Sequence, residues 1–401
     1  MKVMARFIAI PVGQGDAFYL ERDDISVLVD GGRSRSGFPA MFHAVTRTDG
    51  VNVAICTHND ADHANGILGF LEVGLRCDEV WLPGRWLTAL SDLLKPFVEV
   101  FVELVNNIAE IEGQENIGWP HPELSPIEMY AESHRETVDE VAETDEGYSV
   151  GEDGWPESLI KMLEQAEPWE VSPWVQWWSL DDWPFVHCLC HRKLGSAGVR
   201  LLWSAIDAAS RIRAIAIEAF HRGVPVRWFE FKPAAPSGGV TALEPVNARA
   251  IAKVCPRAGT LFNLLALTVS NRESLVFWSP PTSQNPGVLF TADSNLENVN
   301  LPSHLQGALV TAPHHGSEAN ANAYTEVAKA APKASGSITW IRSDGRYRTR
   351  PGSTYIGLQS RCLCTLCRLS SGNTRTKQAV HLFSRGGSWR RHRATVTCSC
   401  Q

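Results

Sequence analysis

The stretch Thr57-His58-Asn59-Asp60-Ala61-Asp62-His63-Ala64-Asn65-Gly66-Ile67 follows directly on the apolar run Val51-Asn52-Val53-Ala54-Ile55-Cys56. Two imidazoles and two carboxylates crowd the span from His58 to His63, and such groups are costly to bury unless they pair or bind a cation. The apolar run reads as a buried strand, and ANGILGFLE as the opening of a helix. His58 and Asp60, two apart in extended chain, point the same way; Asp62 and His63 begin the helix and approach from the other side. One short loop thereby reaches a pair of metal ions with donors suited to hard or borderline divalent cations. Capping of the helix by Asn59, Asp60 or Asp62 accounts for one acid, not for the set.

Upstream, RFIAIPV, AFYLER and ISVLVD read as strands, with Gly13, Gly15 and Gly31-Gly32 marking their ends, and a helix is predicted near Phe38 to Val45. Downstream, EVWLP is a strand and a helical stretch runs from about Leu87 to Ile111. Strands resume with LFNLLALTVS, SLVFWS, GVLFTAD and GALVTAPHHG, then a helix near Ala319 to Ala331 and the strand SITWIRS. Two strand-rich halves that each close with helices predict a layered α/β fold with mixed sheets.

Between them, acidic residues crowd Glu128 to Glu157 and tryptophan becomes dense: Trp155, Trp169, Trp174, Trp177, Trp178, Trp183, Trp203 and Trp228. With the helical spacing of LLWSAIDAASRIRAIAIEAFHRG, this segment is expected to be an insertion that caps something, its tryptophans either core or a stacking platform. The expected divisions are 1–111 and 257–345 as the two halves of one domain, 112–256 as the insertion and 346–401 as a basic, Cys-rich tail.

A hydrophobic share of 44% and a charged share of 20% over 401 residues fit a globular chain. No apolar run of about 18 residues occurs, so no membrane span is expected, and the short apolar N-terminus reads as a strand, which points to a cytoplasmic protein. The net charge of −7 is unevenly spread. From Arg342 to Gln401 twelve Lys/Arg face one acid, Asp344, a balance of 12 − 1 = +11, so the rest carries −7 − 11 = −18. A basic tail on an acidic body implies an intramolecular clamp, a polyanion contact or a solvated tail. Of the ten cysteines, Cys56, Cys77 and Cys255 read as buried thiols. Cys188 and Cys190, then Cys362, Cys364, Cys367, Cys398 and Cys400, have spacings that favour metal over disulfide in the cytosol, without matching a standard zinc module.

The loop His58-Asn59-Asp60-Ala61-Asp62-His63 resembles the H-x-H-x-D-H signature of the metallo-β-lactamase superfamily, with aspartate at the second histidine. That variant is similar to the soluble hydrolase-like domain of ComEC-type DNA-uptake proteins. VGQGDAFYL from Val12, VLVDGG from Val27, NRESLVF from Asn271, LFTADS from Leu289 and APHHGS from Ala312 extend the resemblance over about 1–85 and 260–345. It implies an αββα metallo-β-lactamase sandwich with a large, mostly helical, Trp-rich insertion and a basic Cys-rich C-terminal tail. It also implies two divalent metal ions, zinc with manganese as the alternative, in a cleft between sheet edges. His58 and Asp60 would hold the first ion, Asp62 and His63 the second; Asp293 would bridge both, and His314 or His315 would complete the second site. Asp30 would orient a metal-binding histidine or the loop.

Two departures stand out. The superfamily's separate histidine before the bridging aspartate has no counterpart, since His121, His134, His187, His191 and His221 all lie in the insertion. Arg350 takes the place where relatives carry a late histidine. The implied chemistry is hydrolysis by a metal-activated water, with Asp60 or Asp62 assisting proton transfer and His314 or His315 protonating the leaving group. The Gly13-Gln14-Gly15 and Gly31-Gly32 loops offer backbone amides to a phosphate. Three functions are consistent with these residues: a phosphodiesterase or nuclease acting on nucleic acid or a phosphodiester small molecule; a hydrolase of a lactone, thioester or amide; and a non-catalytic nucleic-acid-binding module with a degenerate metal site.

Overall fold

The computed structural model describes residues 5–114, 148–169, 194–254, 265, 273–303, 305–330, 338–343, 350–358, 360–367 and 377–395. The chain divides into two compact units, one made of 1–84, 224–251 and 272–401, the other of 85–223 and 252–271.

The first unit opens with β1 (Arg6–Ala9), β2 (Phe18–Arg22) and β3 (Ile25–Val29), an antiparallel meander. Helix α1 (Phe38–Thr46) leads to β4 (Gly50–Ile55), parallel to β3; α2 (Ala61–Glu72) leads to β5 (Arg76–Pro83), parallel to β4. The expected strands and both expected helices are therefore present. Phe42 of α1 meets Tyr19 of β2 and Phe70 of α2 edge-on, centroids 6.1 and 5.3 Å apart, which seats the two helices on one face of the sheet.

The second unit begins with α3 (Gly84–Leu93) and α4 (Phe97–Gln114). The single helix expected here is two, because Pro96 lacks the amide needed to continue the ladder. A two-residue strand β6 (Tyr148–Ser149), α5 (Glu157–Gln165) and α6 (Ser196–His221) follow. Arg213 of α6 binds the carbonyls of Leu93 and Glu167, satisfying helix-end acceptors, and its guanidinium stacks on Trp169 at 5.0 Å. Trp155 packs edge-on against Phe220. Trp174, Trp177, Trp178 and Trp183 lie outside the described residues.

The chain rejoins the first unit at β7 (Val226–Phe231), parallel to β5, with β8 (Glu244–Pro245) and β9 (Ala248–Ala250) close behind. The expected insertion boundary at 256 thus falls elsewhere: VRWFEF alternates as a half-buried strand and is part of the main sheet. β10 (Lys253–Val254) pairs with β6 in the second unit. The expected strand LFNLLALTVS lies, apart from Leu265, outside the described residues.

A second sheet contains β11 (Phe277–Ser279), β12 (Val288–Phe290), β13 (Leu309–Thr311), β14 (Thr339–Arg342) and β15 (Arg361–Cys364), with β8 on its edge. β12 to β15 run parallel. Helices α7 (Ala321–Ala330) and α8 (Ser353–Ile356) cover one face through Ala323, Tyr324, Val327 and Tyr355, packed on Val310 and Trp340. β16 (Val380–Arg385) and β17 (Ser388–Arg391) extend the first sheet at β1. The expected tail therefore supplies strands to both sheets.

Phe7, Phe18, Leu20, Val53, Ile55 and Trp81 of the first sheet share one core with Phe277, Val288, Phe290, Leu309, Ile341 and Leu363 of the second. The unit is thus α/β, two mixed sheets joined by apolar faces with helices outside. Among the described residues no helix is long and apolar enough to cross a membrane.

Candidate metal centre

Parallel strands deliver their carboxyl ends to one edge of each sheet. Asp30 follows β3, His58 follows β4, Asp293 follows β12, and His314-His315 follow β13. Asp30, Ala292, His314 and His315 all have left-handed backbone, φ 59, 46, 46 and 54. Non-glycine residues pay for this conformation, of order 1 kcal/mol each, and hold it where the surroundings over-determine it.

The loop from β4 is pinned from below by Asp30. Its Oδ1 accepts from the Thr57 amide and its Oδ2 from the Thr57 hydroxyl, both at 2.8 Å, and Oδ2 also meets His63 Nδ1 at 2.8 Å. The Thr57 hydroxyl in turn lies 3.0 Å from His58 Nδ1. Asp30 thereby fixes two rings, one directly and one through Thr57. Asp16 does the same for His315, with Oδ1 2.9 Å from Nδ1.

Each of these three rings is tethered at Nδ1, and among the described residues the buried Nε2 of each finds no hydrogen-bond partner. All three Nε2 atoms face carboxylates. His58 Nε2 lies 3.7 Å from Asp293 Oδ2 and 3.8 Å from Asp60; His63 Nε2 lies 3.2 Å from Asp293 Oδ1; His315 Nε2 lies 3.4 Å from Asp62 Oδ2. His314 Nε2 is 3.5 Å from Asp293 Oδ2. The two oxygens of Asp293 are divided, Oδ2 toward His58 and His314 and Oδ1 toward His63. Donor atoms of His58, His63 and Asp293 lie within 4.8 Å of one another, and so do those of Asp16, His63 and His315. Buried His/Asp groups of this kind can hold a metal ion.

Every residue expected at the site is therefore in this neighbourhood, with differences in grouping. Asp60 occupies the N-cap of α2 but its side chain makes no capping bond. Asp62 faces His315, while His63 sits between Asp30 and Asp293. Of His314 and His315 one was expected to bind metal and the other to face substrate, without saying which, and they do diverge: His315 is buried beside Asp16 and Asp62, and His314, its side chain 26% exposed, faces Asp293 and Arg350.

Asp16 was not expected, although VGQGD ends on it. Gly15 positions it: at φ +95 a Cβ there would stand 1.7 Å from the Asp62 carbonyl oxygen, so only glycine lets this loop lie against the start of α2. The Asp16 amide donates to that carbonyl at 3.1 Å and Ser343 Oγ donates to the Gly15 carbonyl at 2.8 Å. Asn320 was also missed. Its Oδ1 lies 3.0 Å from His314 Nδ1, and its amide donates to the Asp293 carbonyl. Arg350 lies 2.6 Å from His314 Nε2.

Burial opposes every charge here, and the opposite charges outweigh it. Burial would lower the His63 pKa, but Asp293 and Asp30 raise it well above its ordinary value. His315 is likewise pushed up to about 10 against its burial, by Asp16 and then Asp62. Burial would raise Asp62 and Asp293, but the first is held low by His315 and His63, and the second well below its ordinary value by His63, His58 and His315. His314 goes the other way: burial, with Arg350 beside it, lowers its pKa despite Asp293. Without a cation, protons on His63 and His315 are the countercharge, and a metal ion would displace them.

Cys362, Cys364 and Cys367 are buried thiols, and among the described residues no cysteine joins a group of three metal-competent side chains. Cys188, Cys190, Cys398 and Cys400 lie outside the described residues. Comparison with protein-family models and with curated proteins found no match to this chain.

Proposed function

We propose that the chain is a divalent-metal-dependent hydrolase of the metallo-β-lactamase type, with two ions, zinc first, and a phosphodiester substrate. The observation that carries this reading is the convergence of three buried ring nitrogens without hydrogen bonds, on His58, His63 and His315, upon Asp293 and Asp62. A donor set so arranged fits divalent cations, and few other roles account for histidines tethered at Nδ1 with Nε2 left over. Two facing mixed sheets with outer helices are compatible with the sandwich.

In this proposal His58, Asp60 and Asp293 would hold one ion. Asp62, His63 and His315, with Asp293, would hold the other. Divalent cations, when bound, supply Lewis-acid polarisation of a substrate oxygen and activation of water. The chain's own groups do the rest. Asp60, with its side chain 36% exposed, accepts a proton from the attacking water, whereas Asp62 is engaged with His315. His314, the more exposed imidazole, exchanges the leaving-group proton at Nε2. Arg350 supplies a fixed positive charge beside it for a phosphoryl oxygen.

The test is metal analysis followed by assays against bis(p-nitrophenyl) phosphate, oligonucleotides and nitrocefin. Phosphodiester turnover is expected, abolished by chelation and reduced on the order of 100-fold or more by Asp293→Ala. Turnover of lactone, thioester or amide substrates alone would transfer the assignment to the second hydrolase class. Metal content well below one ion per chain, with no effect of Asp62→Ala on any activity, would leave a binding module.

A further inference from the structure

The hairpin of β16 and β17 is closed by Gly386-Gly387 and has two unlike faces. Val380, Leu382 and Trp389 turn into the core between the sheets. The alternate residues of each strand face the other way. There Phe383 stands opposite Arg390 and Arg385 opposite Ser388. The pairing runs one residue past β17: the His392 amide donates to the His381 carbonyl at 2.9 Å, and Thr395 Oγ1 accepts from the His381 amide at 3.1 Å. The His392 ring thereby lies 6.1 Å from that of His381 and 5.9 Å, edge-on, from that of Phe383.

Arg385, Arg390, Arg393 and His392 are exposed. Among the described residues none of the three arginines has an ion pair. No acid occurs from Gly345 to Gln401 to neutralise them. On the neighbouring strand, Arg6 is already engaged by Glu21.

We propose that the outer face of this hairpin is a docking surface for single-stranded nucleic acid, in which Arg385, Arg390 and Arg393 track the phosphates and His392 and Phe383 receive bases. Unpaired guanidiniums interleaved with rings on a β-ribbon match what a single strand offers, a charged backbone with unstacked π-faces. An acidic protein would need only the charges. An anionic membrane would be met by protruding apolar side chains, and the large exposed ones among the described residues, Val73 and Val98, are not on the hairpin. The surface needs no metal ion, so it stands or falls apart from the hydrolase reading.

The experiment is fluorescence anisotropy of a short labelled oligothymidylate with the whole chain in EDTA, across a salt series. Replacing Arg385, Arg390 and Arg393 together by Gln is expected to weaken binding roughly tenfold or more and to flatten the log Kd against log salt slope by about 2, at ~0.7 per phosphate contact on a single strand. His392→Ala is expected to weaken binding about tenfold with the slope preserved, as loss of stacking does. Binding in EDTA should equal binding with zinc added, which separates this surface from the metal centre. These side chains are exposed, so unchanged melting temperatures would verify the fold. Unaltered affinity and slope in the arginine variant would overturn the proposal. So would capture by phosphatidylserine vesicles without oligonucleotide binding, or equal binding of blunt duplex with His392→Ala silent.

Discussion

Thr57 Oγ1 touches Asp30 on one side and His58 on the other, so a single hydroxyl decides where one imidazole points. Thr57→Val, nearly isosteric, is expected to lower metal affinity roughly 10- to 100-fold, read by competition with a chromophoric chelator, while the metal-free chain still folds. Affinity equal to that of the unaltered chain would show that His58 is not a ligand. The charges set the pH response. His63 and His315 have raised pKa values, so their contribution to folding is fully present below the ordinary imidazole value of 6.5 and is lost as pH climbs toward about 10 for His315. Asp62 and Asp293 are depressed, so theirs is present above the ordinary 3.8 and is lost in more acid solution. The metal-free chain should therefore melt highest between about pH 4 and 6.5, and the rise in Tm on adding zinc should grow from pH 6 to pH 9 as protons leave the rings. A zinc effect that shrinks over that range would contradict it. His58, Asp60, Asp62 and His63 are legible in sequence because they are contiguous. Asp16 is not, because it is a single carboxylate in a glycine turn whose partner, His315, lies 299 residues away.

At the scale of elements, close backbone approaches place the loops that carry these residues. Gly31 and Gly66 touch so closely that a Cβ on Gly66 would stand 1.9 Å from the Gly31 carbonyl oxygen, clamping α2 to the end of β3. Gly15 does the same for Asp16. Gly15→Ala combines a left-handed φ with a backbone clash, and is expected to cost on the order of 1–3 kcal/mol and to detach Asp16 from His315; thermal melts read the first and metal affinity the second. A neutral substitution would mean that the β1–β2 loop moves freely. Strands β1 to β5 and helices α1 and α2 could be read from period and punctuation alone. The break between α3 and α4 required weighing Pro96 above the apolar spacing. His314 and His315 were legible as a pair with separate roles but not as to which takes which, since only the left-handed turn after β13 sends them apart.

At the scale of the molecule, composition misled where pattern did not. The segment after Arg342 is strongly basic, and charge alone describes a tail, yet VHLFSR-Gly386-Gly387-SWRR alternates apolar and polar residues around a glycine turn. Val380, Leu382 and Trp389 belong to the same core as Phe7 and Phe290. Truncation after Lys377 should therefore abolish cooperative unfolding, and Leu382→Ala should cost about 2–5 kcal/mol by chemical denaturation. A dispensable tail would leave both measurements unchanged. The division at 84 and 223 escaped sequence reading for a related reason: β7 sits past a long helical stretch yet returns to the sheet beside β5.

The pairing of β1 with β16, Arg6 opposite Phe383, also dictates an order of events during synthesis. The β1–β3 meander leaves the ribosome with one flank of β1 unpaired, and it must wait until the long stretch up to Val380 has been made before its neighbour arrives. Contacts so distant along the chain slow folding and prolong the interval in which an open strand edge can recruit the wrong partner. Shielding of that nascent flank until β16 arrives is therefore expected to raise the yield of folded protein.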